Sequence, residues 1–412
     1  MIRARICLAL LGVLAFALPA PAAEVPSGSD ESVRIGLLLD LSGPYAYLAG
    51  EATLVAARMA VEDFGGRVLG RTVEVLHADH RNRPDLAAAL ARNWFDAHQV
   101  QGIMDVTGGG PAFAVARVAA RSRRIAVFNT VSASRLTNEA CTSFTAHWAF
   151  DGFAIAHVLG EQMLRTGGDS WYFVTADWTF GHLLERETAE LVRAAGGKVL
   201  GSSMHGMEVA DFTSHLRRAR DSGASVVALA TVGRHFLNAM RAASALGIGG
   251  DGTQRLAALL GNINDVHLLG PASTQGLYLA SAFYWDLNES SRSWSKRFYE
   301  RTGQMPNQAQ AGVYSATRHY LKAVEAAGTE RSDAVMAKMR ELPVEFFGKT
   351  GRLREDGRMV HDMYLFKVKR PEESSRPWDY FELVTTVPGE QSFRPIDRST
   401  CPLVSRQDTP QR

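Results

Sequence analysis

Cysteine is scarce in this chain: three residues in 412, Cys7, Cys141 and Cys401, with no pair at C-x-x-C spacing. That excludes a zinc ribbon and a thioredoxin-like redox pair. H-E-x-x-H and G-x-S-x-G are also missing, so neither a zinc-protease helix nor a nucleophile elbow can be assigned. Neither charge is in excess, since 45 Lys and Arg stand against 43 Asp and Glu. Such a balance offers no polyelectrolyte surface for nucleic acid or an anionic membrane. Outside the N-terminus no apolar run is long, and no repeat of solenoid period is visible. What the chain does have is bulk. At 412 residues and 46% hydrophobic content it exceeds the roughly 250 to 300 residues at which one core stops growing, so two domains are expected.

The opening MIRARICLALLGVLAFALPAPAA carries Arg3 and Arg5, an apolar run over 6–18, and small residues at Ala20 and Ala22. This order is that of an export signal over residues 1–23, cleaved after Ala22 or Ala23. A membrane anchor is the weaker alternative, because the run is shorter than the roughly 20 residues a spanning helix needs. Cys7 follows Ala4, Arg5 and Ile6, which is not a lipid-attachment context. Without Arg3 and Arg5 the basic and acidic residues are equal, at 43 each. Cys141 and Cys401 then remain as an even pair in an oxidising compartment, either bonded to one another or as two separate thiols.

The stretch over 102–137, GIMDVTGGGPAFAVARVAARSRRIAVFNTVSASRLT, organises the rest. It reads as a strand over 102–106, a turn of Gly108, Gly109 and Gly110, a helix opening on Pro111, a strand over 125–128, and a turn bearing Thr130, Ser132 and Ser134. In such a βαβ unit both strands open toward one crevice, where free backbone N–H groups and small hydroxyls suit a carboxylate. Before it lie a near-continuous apolar strand over 33–39, a helix carrying Leu48, Ala52, Val55 and Met59 at helical spacing, a strand over 72–78 and a helix from Pro84. Four strand and helix alternations make this half a doubly wound parallel sheet.

From Phe150 the alternation restarts, with strands over 171–175, 198–201, 225–230, 256–260 and 276–281 and helices between them. The expected fold class is α/β: two Rossmann-like, doubly wound domains joined by a hinge with several crossovers. Helices over 289–302, 308–326 and 332–341 and strands over 363–368 and 380–384 follow, and neither half holds a complete set of layers. The division is therefore expected as 33–147 plus 284–360 for the first lobe, 148–283 plus 361–395 for the second, and 396–412 as a polar tail.

Several candidate motifs fail on context. Gly247, Gly249 and Gly252 fit G-x-G-x-x-G but follow a helix, whereas a dinucleotide fingerprint follows a strand. Gly348-Lys349-Thr350 resembles the end of a phosphate loop, yet Pro343 stands where its first glycine belongs. His77, Asp79 and His80 at a strand exit are better read as solvated groups than as metal ligands, so neither metal nor cofactor is expected. Asp177 and Asp265 share no spacing rule for acid and base catalysis and read as turn caps. Trp148, Trp178, Phe180, Tyr284 and Trp285 fall at strand ends and helix starts, where they serve either domain packing or a ligand cleft.

Gly43-Pro44-Tyr45, Gly65-Gly66, the turn ending Leu136-Thr137, Phe180-Gly181 and Tyr314-Ser315-Ala316 occur in an order that resembles type I periplasmic binding proteins of the leucine/isoleucine/valine-binding family. The resemblance covers nearly all of 33–387. It implies two lobes joined by three crossover strands, closing on a ligand that is delivered to an ABC permease and its ATPase. Residue by residue, it implies that Tyr45 lies beside the ligand, that Thr130 through its backbone and Ser132 through its hydroxyl anchor it, and that Phe180 supplies a second-lobe aromatic. Gly109 stands where the family commonly has a serine and offers, with Gly110, only backbone N–H groups. Phe180 keeps stacking but lacks the phenol usual there. Asp265 is the one acid near the position expected to hold a ligand's amino group.

The sequence therefore points to a monomeric, exported receptor, not an enzyme, for a branched-chain amino acid or a small organic acid, aromatic ones included. The losses at Gly109 and Phe180, with Asn262 and Asn264 where a fixed negative charge is expected for an α-amino group, favour an aromatic or apolar acid with its ring between Tyr45 and Phe180. Asp265 as an amine partner would favour leucine, isoleucine or valine instead. A ligand sensor on the same fold and an exported hydrolase are the alternatives; the hydrolase lacks a nucleophile, base and orienter set.

Overall fold

The computed structural model describes residues 32–250 and 252–404. The expected leader at 1–23 and the last eight residues of the tail lie outside them. The first sheet contains β1 (Ser32–Leu39), β2 (Arg67–Val68), β3 (Arg71–Asp79), β4 (Val100–Val106), β5 (Ile125–Phe128) and β6 (Thr145–His147). Their order is β2-β3-β1-β4-β5-β6, parallel except for the β2–β3 hairpin. β1 is central, which is why it reads as a near-continuous apolar run, and β4 beside it is buried along its whole length. The chain winds outward from β1 to β3, then returns to β4. That reversal leaves a crevice beyond the carboxyl ends of β1 and β4.

The second sheet repeats the plan with β7 (Ser170–Ala176), β8 (Lys198–His205), β9 (Val226–Ala230), β10 (Arg255–Ala258) and β11 (Tyr278–Ser281). A small antiparallel sheet follows, made of β12 (Val344–Phe346), β13 (Lys349–Leu353) and β14 (Met359–Val360). The last strands, β15 (Met363–Val368) and β16 (Phe381–Val387), add antiparallel to the second sheet. Its full order is β16-β15-β11-β10-β9-β7-β8, so a second reversal and a second crevice sit at the ends of β7 and β9.

Helices Glu289–Thr302 and Gln308–Ala327 leave the second sheet and pack on helix Glu51–Phe64 of the first. The chain thus passes between the sheets three times: after β6, after β11 and before β15. At the first passage the side chain of Asp151 caps helix Gly152–Arg165, accepting from the Ala154 N–H at 2.8 Å. It also pairs at 3.3 Å with Arg358, which is fully buried and donates to the Trp148 carbonyl and to the Met359 carbonyl. Cys141 and Cys401 form a disulfide with Cα atoms 5.7 Å apart, fixing the described part of the tail to the edge of the first sheet.

Some boundaries differ from the sequence expectations. The helix after β4 starts at Gly109, not at Pro111, because the first N–H groups of a helix need no internal acceptor and neither Gly nor Pro is excluded there. β8 runs to His205 instead of 201, and β10 stops at Ala258 instead of 260. β6 and the small sheet were not anticipated. They are short, and in β13 the buried positions Gly351 and Leu353 alternate with exposed Lys349, Thr350 and Arg352.

Candidate functional site

The two crevices face one another across a cavity of about 190 Å³, suited to a ligand smaller than a typical drug. At the end of β1, Asp40 accepts the Tyr45 N–H at 3.0 Å. The turn it holds needs Gly43, since a Cβ there would lie 2.2 Å from the Asp40 carboxylate. This tight turn turns the nearly buried Tyr45 ring into the cavity, and burial pushes its phenol up to about 12.

At the end of β4, Gly108 caps helix Gly109–Ser122 with φ 84°. A side chain is excluded there twice, by the left-handed backbone and by Asn82, whose Oδ1 would be 2.8 Å from a Cβ. Gly109 and Gly110 line the cavity and present the first two N–H groups of a 14-residue helix, which have no intrahelical partner. Pro111 has no N–H to satisfy. The positive end of the helix therefore concentrates on two donors, an arrangement that attracts a carboxylate. A Cβ at Gly109 would meet nothing within 4 Å, so the absence of a serine there is not imposed by packing.

The turn after β5 is held from below by Asp105, which accepts from the Asn129 N–H at 2.8 Å, the Thr130 N–H at 3.3 Å and the Thr130 hydroxyl at 2.8 Å. Burial raises the Asp105 pKa to about 6, against the pull of these bonds. Thr130 lines the cavity, but both of its donors are committed to Asp105, so its N–H is not available to a ligand as expected. Ser132 is different. Its carbonyl accepts from the Gly152 N–H at 2.6 Å, while its hydroxyl, on a residue that lines the cavity, bonds to none of the described residues.

From the second sheet come Trp178 and Phe180, at the start of helix Thr179–Ala194. Trp178 is backed edge-on by His205 at 5.6 Å and by His235 at 5.6 Å. Burial lowers His205 to about 4, so it is a neutral support. The Trp178 indole N–H makes no hydrogen bond of normal geometry among the described residues, although it lies near enough to influence the Tyr45 phenol. The rings of Tyr45 and Phe180 meet edge to face, 6.2 Å apart and 70° inclined. A third ring stacked between two others needs parallel walls about 7 Å apart, so the expected sandwich is replaced by a joined aromatic wall.

Six of the seven residues singled out from the sequence, Tyr45, Gly109, Gly110, Thr130, Ser132 and Phe180, meet in this cavity. Asp265 does not. It is fully buried in the first turn of helix Ile263–Leu269, where its Oδ2 accepts the Asn262 N–H at 2.9 Å in a capping box. Burial raises its pKa to about 7. Of the aromatics read as cleft candidates, Trp178 and Phe180 line the cavity, whereas Trp148, Tyr284 and Trp285 are buried elsewhere. Sequence reasoning missed Asn82, Leu48, Leu183, Met207 and Leu260. Asn82 had a usable signal, a polar residue just past the β3 strand exit and before Pro84. Among the described residues that line the cavity, none carries a charged side chain.

A periplasmic binding protein family model matches residues 32–375. A solved periplasmic binding protein from Burkholderia mallei is 43% identical, with a TM-score of 0.87 over 92% of this chain and 100% of that one. A branched chain amino acid ABC transporter periplasmic ligand-binding protein from Burkholderia xenovorans LB400 is 32% identical, with a TM-score of 0.83 over 90% of this chain and 100% of that one. A solute binding protein from R. palustris in complex with benzoate shares the fold at 19% identity and a TM-score of 0.77, over 87% of this chain and 97% of that one. No curated protein sequence matches the chain.

Proposed function

The chain belongs to the periplasmic binding protein family, a solute-binding class that works with ABC permeases and ATPases, and we propose that this member carries a small aromatic or apolar carboxylate. The reading rests on one observation, the absence of any charged side chain among the described residues that line the cavity. A carboxylate is met there by the Gly109 and Gly110 N–H groups, the helix dipole and the Ser132 hydroxyl, which together can hold one negative charge. An α-ammonium in the same space would face no carboxylate, and burying it unpaired costs several kcal/mol. The apolar remainder of the ligand packs on the Tyr45–Phe180 wall and Trp178, which gain by burial and edge contacts. We further propose that residues 1–23 are removed on export, that the mature chain acts as a periplasmic monomer, and that Tyr45, Gly109, Gly110, Ser132 and Phe180 are the ligand contacts.

A second reading is favoured by the likeness to the B. xenovorans branched chain amino acid ABC transporter periplasmic ligand-binding protein. Leucine would then be the ligand, with its ammonium against backbone carbonyls. Calorimetric titration with benzoate and with leucine separates the two. Benzoate is expected to bind the wild type and to lose about tenfold to a hundredfold in Ser132→Ala, the worth of one hydrogen bond to a charged group. Tight leucine binding without a benzoate signal would overturn the proposal.

A further inference from the structure

A second recess, of about 310 Å³, shares no residue with the cleft cavity. Its walls come from helices Glu51–Phe64, Glu289–Thr302 and Gln308–Ala327 and from the β12–β13 corner. We propose that it is a binding site for a small oxyanion, phosphate or carboxylate, independent of the ligand in the cleft.

Three cations, Arg297, Arg318 and Lys322, line the recess with two acids, Asp63 and Glu345. Asp63 is largely engaged elsewhere: Arg297 grips it with two bonds of 2.7 and 2.6 Å, and the Tyr314 hydroxyl donates to it at 2.7 Å. These partners, Arg297 foremost, hold its carboxyl below the usual range, and the Arg318 charge acts on it without a hydrogen bond. Glu345 is the weaker counter-ion, more than half exposed, 3.5 Å from Lys322 and 4.0 Å from Arg318. His319 adds no positive charge. Its Nε2 donates to the Met339 carbonyl at 2.8 Å and burial lowers its pKa, so it is neutral.

Arg318 is therefore under-used. Its guanidinium lies 5.6 Å over the Tyr314 ring and gives that hydroxyl one bond of 3.2 Å, while its Nε has no partner among the described residues. The Trp294 indole N–H, in a residue 3% exposed, is likewise unpartnered. Buried donors left without acceptors are costly. An oxyanion seated between Arg318 and Lys322 meets the two cations that Asp63 and Glu345 leave incompletely matched and balances the net positive charge, and the Ser290 and Ser293 hydroxyls at the same wall can close around it.

Phosphate and acetate are each titrated at low ionic strength into the mature full-length protein, against chloride at matched ionic strength, with the Trp294 indole N–H signal as reporter. The expected result is a saturable shift that weakens about tenfold or more in both Arg318→Gln and Lys322→Gln and is unchanged in Ser132→Ala, whose lesion is in the cleft. A tighter response to phosphate than to acetate assigns the site to phosphate, and the reverse to a carboxylate. A non-saturable shift, an equal shift with chloride, or binding indifferent to both substitutions overturns the proposal. Lys322 is partly exposed on its helix, so Lys322→Gln keeps the test open should Arg318→Gln fold poorly.

Discussion

At the scale of single residues, Asp265 separates what a sequence position suggests from what its surroundings permit. An acid just past the β10 strand invites a role as amine partner, yet its carboxylate is fully buried and turned into its own helix cap. With the folded pKa raised to about 7 from 3.8, the folded chain holds this proton more tightly than the unfolded chain between those values. Raising the pH through that window therefore removes stability, and the loss is complete above about pH 7. Asp265→Asn keeps an oxygen for the Asn262 N–H and removes the titration. The mutant is expected to show a flatter decline in urea midpoint between pH 4 and 7 and to exceed the wild type at pH 8; parallel curves would refute this account. Gly43 and Gly108 were legible because a Cβ would collide there, and Ser132 was legible as a small hydroxyl at a strand exit. Thr130 was half legible, since its place in the turn followed from the sequence but its bonds to Asp105, a residue 25 positions earlier, did not.

At the scale of elements, strands buried on both faces announced themselves as apolar runs, and the glycine ends of helices at Gly65, Gly303 and Gly328 were readable because each adopts the left-handed conformation at a helix end. The small sheet was illegible for the opposite reason. Its strands have two to five residues, and their charged positions mask the alternation. Yet this corner supplies Arg358, whose charge is buried against the cap of helix Gly152–Arg165. Asp151→Ala removes that cap and leaves the guanidinium unpaired, for an expected cost of about 3 to 5 kcal/mol, readable as a lowered urea midpoint. Asp151→Asn, which retains an acceptor for the Ala154 N–H, is expected to lose less. Equal losses would mean that the cap contributes little beside the ion pair.

At the scale of the whole molecule, the two lobes touch around the cleft. The Gly233 N–H donates to the Tyr47 hydroxyl at 3.0 Å, Ser134 donates to Glu187 at 3.1 Å, and Asn307 donates to Asn264 at 3.1 Å. These contacts belong to a closed arrangement, and a ligand that touches both walls favours it over an open one. Small-angle scattering is expected to give a smaller radius for the saturated protein than for the ligand-free protein, and a radius that does not change would rule out closure as the response to binding. The threefold passage of the chain between the sheets bears on time as well as on shape. The strands of the first sheet are the earliest part of the described chain to be synthesised, but helix Gln308–Ala327, which packs on helix Glu51–Phe64, comes only after most of the second sheet. The first lobe cannot finish while the chain is still emerging, and its closing contacts span more than two hundred residues, a topology that folds slowly. Under the export proposed above, a chain threaded through a membrane before it folds has a use for such delay.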